Sequence, residues 1–238
     1  MASQLVNFHQ RWQDTPLAVI DTETTGLRTT DKAVDIAIAR FERGKLVAQA
    51  TSLINPGMPI PAEATAIHGI TDAMVQGMPT IDEWFALPDV AALLLGAQPA
   101  AYNEQYDRRY VPLDAFGDPS WPWIDVMSFV TKVDAFAKGK GRHKLGASCE
   151  RHGVVFDGAA HRALPDAVAT GKLMHVLIPK IKVTPTDRFG NPLAPRELRS
   201  IGELAFWTQK QRVERSEEFH AWLAKQPPLP TEQQQASA

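Results

Sequence analysis

Three strand patterns follow one another near the start of the chain, before any helix is predicted. The second and third are separated by Arg43-Gly44, which predicts a hairpin. Later apolar segments are short and alternate with helical stretches, including one predicted over residues 81–95. Consecutive strands followed by alternating strand and helix indicate an α/β domain with a mixed sheet. The five strand patterns are 17–20, 33–41, 46–54, 99–102 and 123–126.

The predicted domain leaves a segment on either side. Residues 1–15 form a short polar lead-in, the α/β domain covers 16–180, and 181–226 form a helical extension. The final segment, 227–238, holds three prolines and a run of three glutamines, and it carries too little apolar surface to order itself. We therefore expect one large domain with a C-terminal extension, which a chain of 238 residues can form.

Composition excludes several classes of protein. The 25 Lys and Arg residues nearly balance the 27 Asp and Glu residues, so a polyanion must be bound locally rather than by a global positive field. Cys149 is the only cysteine, which excludes an intramolecular disulfide framework. No apolar stretch approaches the roughly 20 residues of a membrane span. These features predict a cytoplasmic protein that does not cross a membrane.

Two acidic residues stand directly after the first apolar run. Side chains alternate along a strand, so Asp21 and Glu23 project to the same side about 7 Å apart, close enough to share a cation. Two unpaired carboxylates beside an apolar strand repel each other, and a divalent cation would relieve that repulsion. A plain strand end followed by a Thr-rich turn explains the same pattern, so the pair alone does not establish a metal site.

Three more candidates lie on later elements. Asp107 falls four residues into a helix that starts near Asn103, where it is otherwise an ordinary helix carboxylate behind an N-cap. Pro165 is tolerated in a first helical turn only, which places His161 on the loop before that helix and Asp166 inside its first turn. His161 and Asp166 can therefore reach one cavity from different elements. The same sequence is also explained by an ordinary surface-loop histidine and by a carboxylate that the helix dipole favours.

The four carboxylates together form an all-oxygen ligand set, which suits Mg²⁺ or Mn²⁺ rather than zinc. The sequence has no cysteine cluster, no H-E-x-x-H motif, no Gly-rich phosphate loop and no G-x-S-x-G elbow. Metal-assisted hydrolysis is the chemistry that remains.

These residues resemble the DEDDh, or DnaQ-like, 3′-to-5′ exonucleases, the superfamily that includes the proofreading subunit of bacterial DNA polymerase III and exodeoxyribonuclease X. DTETTGL matches the first motif through Asp21 and Glu23, YNEQYD the second through Asp107, and HRALPDA the third through His161 and Asp166. A histidine five residues before the last aspartate is the mark of the histidine subtype, whereas the tyrosine subtype carries Tyr four residues before it.

The resemblance implies a ribonuclease H-like fold: a mixed five-stranded sheet, with three antiparallel strands followed by parallel ones, and helices on both faces. It also implies two divalent cations, Mg²⁺ or Mn²⁺, at the terminal phosphodiester. Asp21 bridges both cations, Glu23 and Asp166 complete one site, and Asp107 serves the second ion or its surroundings. His161 takes the proton from the attacking water, a task for which histidine is well suited at neutral pH.

Substrate contacts are predicted around the same motifs. The turn after the first strand binds the terminal nucleotide, with Leu27 wedged against its base. Segment 138–144 is the densest positive cluster in the chain and is predicted to clamp the nucleic-acid backbone, with a solvated loop as the alternative. The predicted substrate-binding residues are Thr24, Gly26, Leu27, His68, Asn103, Lys140, Arg142 and Arg162.

The match, which covers about residues 16–178, departs from the family pattern at two positions. Tyr102 precedes Asn103 where the second motif usually has histidine, so any contact of that histidine is lost or replaced. Pro165 stands where a small or acidic residue is usual, and its ring is compatible with a first helical turn. We expect the chemistry to survive both changes.

We therefore predict a metal-dependent exonuclease that removes nucleoside 5′-monophosphates from DNA 3′ ends, single-stranded DNA being favoured, in DNA repair or in the proofreading of replication. One alternative is an RNA 3′-to-5′ exonuclease resembling ribonuclease T or oligoribonuclease, because the five catalytic positions are shared. Another is a non-catalytic nucleic-acid-binding or scaffolding subunit that keeps the fold.

The C-terminal extension carries apolar residues at helical spacing. Such a stripe docks on its own core or binds a partner, and proofreading subunits of this family reach their polymerase through C-terminal extensions. Residues 226–230 faintly resemble a sliding-clamp peptide. The stripe consists of Ile201, Leu204, Trp207, Phe219, Trp222 and Leu223.

Overall fold

A five-stranded mixed sheet forms the centre of the protein in the computed structural model. Its strands are β1 (Leu17–Thr24), β2 (Ala33–Glu42), β3 (Lys45–Leu53), β4 (Gln98–Ala101) and β5 (Ile124–Asp125). They lie in the order β3-β2-β1-β4-β5, with the first three antiparallel and β4 and β5 parallel to β1. The predicted mixed sheet is confirmed. The structure describes residues 6–112, 114–116, 120–156, 158 and 161–223.

Helices pack on both faces of this sheet, as predicted. Within the described residues they are α1 (Ala62–His68), α2 (Asp72–Val75), α3 (Ile81–Phe85), α4 (Pro88–Leu94), α5 (Glu104–Asp107), α6 (Val126–Val133), α7 (Leu145–Arg151), α8 (Ala163–Leu177) and α9 (Ile201–Leu223). The alternation along β1 explains the two layers. Ala18 and Ile20 join the core under α3 and α4, whereas Leu17 and Val19 join the core under α6, α8 and α9.

Two local predictions were wrong. The single helix expected over 81–95 is broken, because Pro88 occupies the first position of α4 and cannot continue α3. The turn-rich stretch after Lys182 forms a small antiparallel sheet that was not predicted, from β6 (Lys182–Val183) and β7 (Arg196–Glu197).

The helix α9 packs on the domain core. Ile201 and Leu204 are completely buried, and Trp207 stacks on Phe129 of α6 with ring centroids 5.3 Å apart. The side chains of Phe219, Trp222 and Leu223, and all of 224–238, lie outside the described residues. The division of the chain at 16–180 and 181–226, and the cytoplasmic location, stay predictions. Among the residues that the structure describes, no helix has the length and apolar character needed to span a membrane.

Candidate active site

β1 delivers two acids to the face of the sheet that α8 covers. Asp21 and Glu23 continue the alternation of Leu17 and Val19, whose side chains pack under α8. Asp166 lies in the first turn of α8, with its amide bonded to the Arg162 carbonyl at 3.2 Å. The two acids of β1 and the acid of α8 therefore approach each other from adjacent layers.

The fourth acid, Asp107, lies in α5, the helix that follows the strand next to β1. β4 runs parallel to β1, and α5 begins directly after it, so α5 starts at the edge of the sheet where β1 ends. Thr22 fixes the acid there: its backbone N–H and its hydroxyl both donate to the same oxygen, Oδ1 of Asp107, at 3.0 and 2.9 Å. Asp107 is buried, so this pair of hydrogen bonds sets the position of its carboxylate.

A histidine closes the cluster. Glu23, His161 and Asp166 each offer a ligand atom, and these atoms lie within 4.8 Å of one another. His161 is exposed and has a φ of 62°, a left-handed conformation that costs a non-glycine residue of order 1 kcal/mol. Such strained residues gather at functional sites because the surrounding structure must hold them there.

The carboxyl groups strongly perturb one another. Burial, followed by the charges of Asp107, Asp166 and Glu23, raises the pKa of Asp21 well above its ordinary value. Burial and then the charge of Asp166 raise the pKa of Glu23 to about 8. Burial also raises the pKa of Asp107 to about 7 against the Thr22 hydrogen bonds, and the pKa of Asp166 to about 6 against the favourable charge of His161.

This donor set fits divalent cations. Buried carboxylates that repel one another are stabilised by positive charge between them, and hard oxygen ligands are those that Mg²⁺ and Mn²⁺ prefer. The three atoms within 4.8 Å are at a separation that one ion can span. Asp21 and Asp107 form a second pair of acids. Asp21 also lies in the electrostatic field of Glu23 and Asp166.

One further acid at this site, Asp35, was not predicted from the sequence. Asp35 of β2 lies opposite Glu23 in the sheet register and is almost completely buried. Its Oδ2 accepts a hydrogen bond from Nε of Arg162 at 2.9 Å and another from the Ala163 amide at 3.4 Å. Asp35 thereby fixes the start of α8, directly after His161. The available signal was a lone charge inside an apolar strand.

The turn after β1 is held by local contacts. The Thr24 hydroxyl donates to the Gly26 carbonyl at 2.6 Å, and a Cβ on Gly26 would lie 2.5 Å from Oδ2 of Asp31, so a larger residue would displace the turn. Leu27 is 76% exposed at the tip. His68 is buried beside this turn, and burial lowers its pKa.

The remaining predicted substrate residues have different surroundings. Arg162 is held by Asp35, so its charge is partly neutralised by the protein. Asn103 does not cap α5 with its side chain, and its Oδ1 is buried without a partner among the described residues. Lys140 and Arg142 are exposed on the loop between α6 and α7.

These pKa shifts predict a fall in stability as the pH rises in the absence of metal. A carboxyl group whose pKa is raised by folding stabilises the fold below its unfolded pKa and loses that contribution as the pH rises through the folded pKa. For Glu23 that window runs from 4.5 to about 8. In EDTA we expect the melting temperature to fall between about pH 7 and about pH 8.5, a range that lies above the ordinary pKa of histidine.

Two comparisons isolate this effect. The fall should be smaller in Glu23→Gln, and Mg²⁺ should raise the melting temperature of the wild type more at the higher pH, with NaCl of equal ionic strength as the control for screening. A metal-free protein that melts at the same temperature at both pH values, or a Mg²⁺ effect that NaCl reproduces, would contradict the prediction.

Comparison with known proteins gives consistent results. The exonuclease family model RNase_T matches residues 18–174. A DNA polymerase III subunit epsilon-like protein of Rhodobacter capsulatus is 37% identical over 205 residues, 80% of this chain and 28% of that protein. An uncharacterized exonuclease, CP81, of Escherichia phage 186 is 34% identical over 68% of this chain and 87% of its own length.

A solved structure agrees with the fold. Exonuclease X in complex with 5′-overhanging duplex DNA superimposes with a TM-score of 0.54 and 30% identity, over 67% of this chain and 90% of the other. The ribonuclease H-like architecture expected from the motifs is confirmed. The chain belongs to the RNase_T exonuclease family, within the DEDDh, DnaQ-like superfamily.

Proposed function

We propose that this protein is a divalent-metal-dependent 3′-to-5′ exonuclease that removes nucleoside 5′-monophosphates from DNA, with single-stranded 3′ ends preferred. The observation that carries the proposal is the convergence of four buried or half-buried carboxyl groups, from β1, α5 and α8, beside an exposed histidine. A scaffolding protein would have no use for this arrangement, because the repulsion between the acids destabilises the fold.

The acidic residues have different roles in the proposed metal site. When bound, two divalent cations, Mg²⁺ or Mn²⁺, would stabilise the charge on the attacking and leaving oxygens of an in-line displacement. Asp21 would contact both ions, Glu23 and Asp166 would complete one site, and Asp107 would serve the other. Thr22 holds Asp107 in place.

His161 supplies the proton acceptor in this proposal. Its side chain is exposed, so water can reach it, and its ligand atom lies within 4.8 Å of those of Glu23 and Asp166. His161 has a left-handed backbone and directly precedes Arg162, which is held by the ion pair with Asp35. This placement supports a role for the imidazole as general base for the attacking water.

The preference for a DNA end is supported by the relatives. Exonuclease X was solved with duplex DNA, and the Rhodobacter relative is named for a DNA polymerase III subunit. This chain spans only 28% of the latter, so a polymerase or clamp partner is part of the proposal. The outer face of α9 and the residues that follow it are the surface we propose for that partner, because the inner face packs on the domain.

The proposed function predicts a specific digestion pattern. With Mg²⁺, single-stranded DNA that is labelled at its 5′ end should shorten one nucleotide at a time, and 3′-labelled DNA should lose its label at once as a mononucleotide. RNA of the same sequence should be degraded more slowly, and EDTA should stop both reactions. Degradation of RNA alone would overturn the DNA assignment, and no degradation of either polymer would favour the scaffolding alternative.

A further inference from the structure

The loop between α6 and α7 presents an aromatic ring to solvent. Phe136 is 95% exposed, more than any other large hydrophobic residue among those the structure describes. Single exposed apolar side chains are common on protein surfaces, so this exposure alone carries little weight. The residues around the ring give it significance.

Segment 136–144, here called the basic arm, concentrates positive charge beside Phe136. It contains four cationic side chains and no acidic one, in a chain whose net charge is −2. All four are exposed. Cations that can follow a phosphate backbone, next to an aromatic ring on which a base can stack, are the two components of single-strand binding sites. The four cationic residues are Lys138, Lys140, Arg142 and Lys144.

The basic arm is attached to the edge of the sheet that carries the acids. Tyr102, which directly follows β4 and precedes α5, donates its hydroxyl to the His143 carbonyl at 2.5 Å. Nε2 of His143 lies 3.2 Å from the Asp134 carbonyl, and the Arg151 guanidinium donates to the Arg142 carbonyl. The C-terminal end of the arm is therefore fixed, and Tyr102 ties it to the helix that bears Asp107.

We propose that Phe136 is a stacking platform for one base of a single-stranded nucleic acid, in a subsite upstream of the nucleotide that is removed, with the basic arm holding the adjoining phosphates. The proposal rests on the proposed nuclease function for the position of the strand. Stacking is tolerant of sequence, because every base has an aromatic face. The subsite therefore selects unpaired strands rather than particular bases.

The test compares two exposed phenylalanines. Phe136→Ala should raise KM for a thymidine oligonucleotide of about 15 nucleotides roughly tenfold, the lower part of the range for one base–aromatic stack, with kcat unchanged. Phe136→Trp keeps an aromatic ring at this position and should have the KM of the wild type. Phe189 is the matched control: it is 73% exposed, has the Arg188 guanidinium over its ring, and lies between β6 and β7. Phe189→Ala should leave KM unchanged.

A series of oligonucleotides with one abasic nucleotide locates the stacked base. At one position the abasic nucleotide should raise the KM of the wild type by about the same factor as the Phe136→Ala substitution does. At that position it should raise the KM of Phe136→Ala no further. Equal KM values for the wild type and Phe136→Ala, or an equal loss in Phe189→Ala, would overturn the proposal. Fluorescence anisotropy of a labelled oligonucleotide measures binding without cleavage, so an inactive wild type would overturn the nuclease function and still leave the stacking decided.

Discussion

Asp21→Asn is expected to abolish nuclease activity and to stabilise the metal-free protein. The carboxylate lies in the field of four other acids, and it is the proposed ligand of both cations. Losses of about a hundred- to a thousandfold are typical when a group that stabilises developing charge is removed. The same change relieves buried repulsion, so in EDTA at about pH 8 the variant should melt above the wild type. End-labelled DNA digestion and thermal unfolding measure the two effects.

The opposite directions of the two effects make the result informative. A variant that loses activity because it unfolds would melt at a lower temperature, whereas the expected variant melts higher. Asp89→Asn is the control, because Asp89 is an exposed acid in the first turn of α4, on the other face of the sheet. It should change neither quantity measurably. Retention of more than about a tenth of the activity in Asp21→Asn would show that Asp21 does not have the proposed role.

The acids could be predicted from the sequence because each follows a recognisable element. Asp21 directly follows the apolar run of β1, and Asp166 sits beside a proline that fixes the start of α8. The order of strands before helices likewise predicts the mixed sheet. Such features depend on residues that are adjacent in the sequence, so the local sequence is enough to predict them.

Features that depend on distant contacts were not predictable in this way. Asp35 acts on Arg162 across 127 positions of chain, and nothing near either residue identifies the other. Tyr102 departs from the family pattern, and only the fold shows that its hydroxyl reaches His143, 41 residues later. The apolar stripe of α9 left docking on the domain and binding to a partner both open, and the buried acids that the helix neutralises become apparent only when the layers are assembled.

Two arginines of α9 neutralise acids inside the domain. Nε of Arg212 lies 3.0 Å from Oε1 of Glu104, and Nη2 of Arg215 donates to Oδ2 of Asp125 at 2.8 Å. Both acids are buried, Asp125 completely. Ser128 joins the second pair, donating to Oδ2 of Asp125 at 2.6 Å and accepting from Arg215 at 3.1 Å. α9 therefore supports β5 and also α5, the helix that carries Asp107.

Arg215→Met is accordingly expected to destabilise the whole domain. Removal of one partner leaves the other charge buried and unpaired, which costs about 3 kcal/mol. For a domain of this size that corresponds to a fall in melting temperature of roughly 6 to 12 °C.

The surface ion pair on the same helix provides the control. Lys210 lies 3.8 Å from Glu214, and both side chains are well exposed, so Lys210→Met should cost at most a few tenths of a kcal/mol. Asp125→Asn in the Arg215→Met background should recover part of the loss, because the amide carries no charge to be left unpaired. If Arg215→Met and Lys210→Met have the same small effect, α9 contributes little to the domain, and its inner face becomes available to a partner. If the large difference appears, the domain itself holds that face, and a partner must bind elsewhere on the helix or beyond it.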